Sequence, residues 1–183
     1  ILHKNEELKK EGNYIDEKKE GIWKEYDENG QLEREGNIIG GKENGIWKYY
    51  YDNGKLKREG KWTDGKQNGI WKYYYDNGQL EREGNIIGGK ENGIWKSYHK
   101  NGQLGKEGNY VDGKQNGIWK FYYDNGELKE ESNWINGKGE SLKFYHKNGQ
   151  LGTEGNFVDG KQNGIWKYYY DNGKLKKESN WTD

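Results

Sequence analysis

The sequence predicts an all-β chain, an elongated single-layer array of about seven tandem β-hairpins with a 24-residue period. Three observations predict it. Asn-Gly returns at a fixed interval between β-prone runs. Opposite charges fall into register when each Asn-Gly is folded as a turn. Aromatic rings stand where aliphatic residues usually build a core.

Composition comes first, because it decides whether the chain can fold. Ile, Leu, Val and Phe supply only 28 of 183 residues. So low a share goes with disorder when net charge is high and aromatics are few. Here 31 basic residues balance 31 acidic ones, and 9 Trp and 16 Tyr are present, so rings must provide the burial. The 30 glycines, with no proline, point to turns that need positive φ. Zero net charge removes long-range attraction to nucleic acid and weakens attraction to an anionic membrane. The absence of Cys excludes disulfides and thiolate chemistry. No apolar run approaches the ~18 residues of a membrane helix.

Turns are expected at 5–6 (an eroded Asn-Glu copy), 29–30, 53–54, 77–78, 101–102, 125–126, 148–149 and 172–173. Their spacing is 24 except between Gly126 and Gly149, where it is 23. Residues 1–183 thus read as one continuous array with an irregular unit at 132–149, expected to be a piece of a longer array. Segments 29–48 and 77–96 are identical, which implies recent duplication. The connector at 63–68 is too short for a helix and reads as a turn.

A two-residue type I′ turn at Asn53-Gly54 sets Lys48 opposite Glu59, Trp47 opposite Gly60, Tyr51 opposite Leu56 and Gly45 opposite Trp62. The Lys–Glu pairing repeats as Lys24–Glu35, Lys72–Glu83, Lys96–Glu107, Lys120–Glu131, Lys143–Glu154 and Lys167–Glu178. Each facing pair is worth ~0.2–1 kcal/mol, and less where exposed. The pairs also specify register, since a one-residue slip turns every side chain to the wrong face. In this register one face carries Trp47, Tyr49, Tyr51, Leu56 and Trp62, and the other Ile46, Lys48, Tyr50 and Glu59. Trp set over Gly covers the backbone that glycine leaves bare.

Three columns follow. Trp23, Trp47, Trp71, Trp95, Trp119 and Trp166, interrupted by Leu142, read as core, as do Leu32, Leu56, Leu80, Leu104, Leu128, Leu151 and Leu175. Tyr26, Tyr50, Tyr74, Tyr98, Tyr122, Tyr145 and Tyr169 form the candidate interaction surface, a ridge beside the charge ladder. A lone hairpin is marginal in water, so the units must stack on one another.

Chemistry finds no foothold in the pattern. His3, His99 and His146 share the Tyr51 column, hairpins apart, too far to hold one metal. Every polar residue is copied repeat after repeat, whereas catalysis needs one distinctive constellation. Asp64-Gly65-Lys66-Gln67-Asn68-Gly69 lacks the alternating acidic ligands of a calcium loop. No catalytic, metal-binding or cofactor-binding residue is assigned, and no cofactor is expected.

The unit Gly-x-Trp-x-x-Tyr-x-x-Asn-Gly-x-Leu-x-x-Glu-Gly, followed by an aromatic and Asp-Gly-Lys, resembles the MORN repeat in its bacterial variant form. The resemblance implies a twisted hairpin array used for protein interaction, with lipid binding proposed for eukaryotic members and an antitoxin-like role attached to bacterial ones. At Glu140-Ser141-Leu142 the chain departs from the expected Gly-Ile-Trp. The expected function is therefore a non-enzymatic interaction scaffold. Its partner is another protein or a second copy of the chain, a homodimer being open because terminal strand edges invite pairing. Glycan or cell-wall binding through the aromatic columns and association with lipid headgroups are the alternatives. Nucleic acid is not expected as a partner.

Overall fold

The computed structural model describes residues 9–182, and every regular element among them is a strand. His3, Leu8 and the turn expected at 5–6 lie outside the described residues.

The chain divides into two compact units between Lys90 and Glu91. The first holds β1 (Lys10–Ile15), β2 (Lys18–Tyr26), β3 (Leu32–Ile39), β4 (Lys42–Tyr50), β5 (Leu56–Thr63), β6 (Lys66–Tyr74) and β7 (Leu80–Ile87). The second holds β8 (Lys90–Tyr98), β9 (Leu104–Val111), β10 (Lys114–Tyr122), β11 (Leu128–Ile135), β12 (Lys138–Tyr145), β13 (Leu151–Val158), β14 (Lys161–Tyr169) and β15 (Leu175–Trp181). Within each unit every strand pairs antiparallel with the next in sequence, giving an open sheet. The sheet class is as the sequence predicts.

All seven Lys–Glu pairings stand in the register expected, from Lys24↔Glu35 to Lys167↔Glu178. The turn that sets them is not the one expected. Asn53 does not adopt positive φ, and only Gly54 does, at φ 77°. Gly54 N–H donates to Tyr51 C=O at 2.8 Å, and Tyr51 N–H to Lys55 C=O at 2.8 Å. That is a three-residue loop, Asp52-Asn53-Gly54, closed by a glycine bulge. It moves the pairing to Tyr50↔Leu56, and a second bulge at Lys57 restores Tyr49↔Arg58. Leu56 therefore stands on the face of Tyr50 rather than that of Trp47, where the sequence placed it.

Type I′ turns are present, at the connectors. Gly40-Gly41 (φ 57°, 83°), Asp64-Gly65 (50°, 76°), Asp112-Gly113 (51°, 80°) and Asp159-Gly160 (49°, 80°) carry positive φ at both positions. The regular strands after each connector reach nine residues.

The core is a row of indoles. Trp23, Trp47, Trp71, Trp95, Trp119 and Trp166 are at most 4% exposed. Trp47 pairs with Gly60 in the ladder, as expected, but its ring covers a different glycine. A Cβ on Gly36 would lie 2.2 Å from Trp47 Cδ2; Gly60 stands likewise against Trp71, Gly108 against Trp119 and Gly155 against Trp166. The cause is a two-residue bulge in the later strand. Glu35↔Lys48 is followed by Asn37↔Asn44, so Gly45, Ile46 and Trp47 face Gly36 alone. Gly45 takes positive φ (77°) to make that bend. The indole N–H then donates to a carbonyl of the covered strand: Trp47 to Asn37 at 3.0 Å, Trp119 to Asn109 at 3.2 Å, Trp166 to Asn156 at 3.0 Å.

The irregular unit loses its residue in this bulge. The connector is not where it is lost, since Asn136-Gly137 keeps the regular turn (φ 51°, 82°). Asn133↔Ser141 is followed by Trp134↔Gly139, a shift of one where other repeats shift by two. No residue between Gly137 and Gly149 has positive φ.

Candidate interaction surface

Alternation along the strands places Ile46, Lys48 and Tyr50 on the face opposite Trp47. Tyr50 meets Leu56 across the hairpin, and the same pair recurs as Tyr26↔Leu32, Tyr74↔Leu80, Tyr98↔Leu104, Tyr122↔Leu128, Tyr145↔Leu151 and Tyr169↔Leu175. Both columns are half-buried, except Leu175, which is exposed. The leucines are thus a flank of the tyrosine ridge and not part of the indole core.

Five of the tyrosine hydroxyls reach back to the ladder glutamate of the preceding hairpin. Tyr26 donates to Glu11 at 3.0 Å, Tyr50 to Glu35 at 2.6 Å and Tyr74 to Glu59 at 2.9 Å. In the second unit Tyr122 donates to Glu107 at 2.9 Å and Tyr169 to Glu154 at 2.8 Å. Burial and these glutamates hold the hydroxyls protonated: Tyr74 and Tyr122 are pushed up to about 12, and Tyr50 is also raised. Tyr145, in the irregular repeat, makes no such bond among the described residues.

The ladder lysines take a different part from the one their register suggests. Each faces a glutamate on its own hairpin and, through pairs such as Glu35↔Lys48 and Glu59↔Lys72, another on the preceding strand. Among the described residues none comes within ion-pair distance of a carboxylate. The carboxylates are turned to the tyrosines, and the ammonium groups are left to solvent. Beside them isoleucine stands uncovered in each regular repeat: Ile22 62%, Ile46 56% and Ile70 57% exposed in the first unit, Ile118 50% and Ile165 53% in the second. This apolar column was within reach of the sequence, since Ile46 alternates with Lys48, but it was not singled out.

The histidines work as stand-ins for tyrosine. Tyr51 OH donates to Tyr74 C=O at 2.6 Å and Tyr123 OH to Tyr145 C=O at 2.9 Å. His99 Nε2 sits 3.0 Å from Tyr122 C=O, and His146 Nε2 3.1 Å from Tyr169 C=O. Because a carbonyl only accepts, Nε2 carries the proton in both. Each thereby ties one hairpin tip to the next.

The face thus presents columns of like residues repeated from hairpin to hairpin, the pattern of a tandem-repeat array. Residues 19–39, 43–64, 67–87, 91–112, 115–136 and 162–183 each match the MORN repeat variant family, and the chain belongs to it. No curated protein matches the chain. MORN repeats are protein- or membrane-lipid-binding modules and not catalytic ones. Residues 137–161, which hold most of the irregular unit, fall between the fifth and sixth matched segments.

Proposed function

We propose that the chain is a non-enzymatic scaffold whose Ile–Lys–Tyr face binds another polypeptide. The exposed isoleucine column carries this reading: five or more large aliphatic side chains kept at least half in water at one repeat position are costly to leave uncovered. The tyrosine ridge beside them is pinned by its glutamates, so it offers preformed ring edges at little entropic cost. An antitoxin-like role, in which covering the partner silences it, and self-association of two copies are both forms of this reading.

A photo-crosslinking residue at position 46 or 70 tests it. Discrete adducts with a polypeptide, or with a second copy of the chain, are expected, while a probe on the indole face at position 58 should give none. Adducts confined to lipid or glycan overturn the proposal.

One observation favours a second reading, association with lipid headgroups. With the ladder carboxylates turned to tyrosines, lysines free of ion pairs flank exposed isoleucines. Sedimentation with anionic vesicles at physiological salt decides it; net charge of zero predicts weak binding. Glycan binding draws less support, because the column tryptophans are at most 4% exposed and present no ring face to a sugar.

A further inference from the structure

On the indole face several rings are capped by a cation from their own chain. Arg34 lies over Trp47 (5.3 Å), Arg58 over Tyr49 (4.1 Å), Lys106 over Trp119 (5.8 Å) and Lys177 over Tyr168 (5.7 Å). All four occupy one repeat position. On β11 that position is Glu130, flanked by Phe121 and Phe144 in the ladders on either side. Its half-buried carboxylate makes no hydrogen bond or ion pair among the described residues.

The same repeat lacks its tryptophan. With Leu142 in that place, a groove of about 570 Å³ opens, lined by Glu130, Ser132, Trp134, Leu142 and Phe157. At its rim Lys138 and Asp159 neutralise each other at 3.0 Å, so Glu130 sets the sign of the site. The missing indole cannot simply be replaced from outside in the same pose. Ser132 stands where β3, β5, β9 and β13 have glycine, and a Cβ at that position approaches a column ring to 2.1–2.2 Å at Gly60, Gly108 and Gly155.

We propose that this groove receives the guanidinium of an arginine from a partner protein. The carboxylate of Glu130 pairs with it, and the rings of Trp134 and Phe157, which line the groove, offer it π faces as Tyr49 does to Arg58 and Trp119 does to Lys106 elsewhere in the chain. A planar guanidinium can lie on a ring while its edge donates to a carboxylate, which a hydrated ammonium does less well. An arginine in trans thus completes both the charge and the stacking that this repeat lacks. The site lies on the indole face, away from the isoleucine column, and stands or falls separately from the surface proposed above.

The test is a titration of the whole chain with acetyl-Gly-Arg-Gly-amide, read at the indole N–H resonances, beside the lysine and citrulline counterparts. A saturable shift at Trp134 with a Kd on the order of 1–10 mM is expected, weaker for lysine and lost for citrulline, which keeps the shape without the charge. Glu130→Gln should weaken binding tenfold or more, and Glu130→Arg should abolish it by restoring the cation in cis. If Glu130→Arg does not fold, Glu130→Gln carries the test, with unchanged amide shifts in β10 and β14 as its control. The inference is overturned by no saturable shift at Trp134, by equal binding of citrulline, by unchanged affinity of Glu130→Gln, or by equal shifts at Trp119 and Trp166.

Discussion

One methyl group at Gly60 should do more harm than at any turn glycine. A Cβ there would stand 2.2 Å from Cδ2 and 2.4 Å from Cε2 of Trp71. Trp71 is fully buried and donates its indole N–H to Lys61 C=O at 3.3 Å. To regain ordinary carbon–carbon contact the ring would have to withdraw by about 1–1.5 Å. Overpacking of this kind costs ~1–3 kcal/mol, and loss of the indole hydrogen bond adds ~0.5–1.5. Gly60→Ala should therefore destabilise by about 2–4 kcal/mol. Gly78→Ala, where positive φ (93°) is the only obstacle and the new Cβ meets nothing within 4 Å, should cost ~1–2. Trp71→Leu alone should cost about 2–3 kcal/mol in lost burial. In Gly60→Ala/Trp71→Leu the methyl meets no ring, so the double variant should be ~1–2 kcal/mol more stable than the two losses added. Hydrogen exchange of β5 and β6 is the assay, because a repeat array need not unfold as two states. Gly60→Ala within about 0.5 kcal/mol of the parent, or strict additivity in the double variant, would refute the lock.

Two further outcomes are expected. Alkali should weaken the fold between pH 10 and 12. Tyr74 and Tyr122 titrate near 12 when folded and near 10 when unfolded, so above pH ~10 the unfolded chain binds fewer protons and stability falls. Tyr74→Phe/Tyr122→Phe should flatten that decline in denaturant titrations, and an unchanged slope would contradict the clamp. In the irregular repeat, amides of 139–146 should exchange before those of 115–122, since Leu142 buries less than Trp119 and the Tyr145 hydroxyl grips no glutamate. Equal protection would show that the indole row matters less than its burial suggests.

The period, the strand pairing, the charge register and the indole core were all legible, because each is fixed by residues recurring at constant spacing. The turn type was not. A two-residue turn at Asn53-Gly54 and a three-residue loop at 52–54 followed by a bulge at Lys57 both bring Lys48 to Glu59. The ladder test therefore passes with either, and only the residues between the two bulges can tell them apart. Leu56 lies there, which is why it alone among the core columns was put on the wrong face. The strength of Asn-Gly as a hairpin signal also hid the other turn. Asp-Gly and Gly-Gly at the connectors carry the same signal, and they are where both φ values turn positive. The tyrosine column was found, but its hydroxyls bond to a glutamate on the preceding hairpin, a contact between repeats that no single unit displays.

Substitutions among the repeats come in structurally matched pairs, and this explains how the irregular unit is tolerated. Where the covered residue is Gly36, Gly60, Gly108 or Gly155, the next strand brings a tryptophan; where it is Ser132, the strand brings Leu142. The serine is buried, and its Oγ accepts the Trp134 indole N–H at 3.0 Å, so the space released is partly refilled by a polar contact. The hairpin tips behave alike. Tyr51, Tyr123 and Tyr170 lie under Lys57, Lys129 and Lys176. His99 and His146 instead meet Gly105 and Gly152, where a Cβ would approach the imidazole to 3.2 and 2.9 Å. In both cases a residue and the neighbour that packs on it have changed together while the ladder between them has not moved. The Lys–Glu register is thus the invariant on which the repeats vary, and the pair that exchanged most, Gly–Trp for Ser–Leu, is the one that opened a groove.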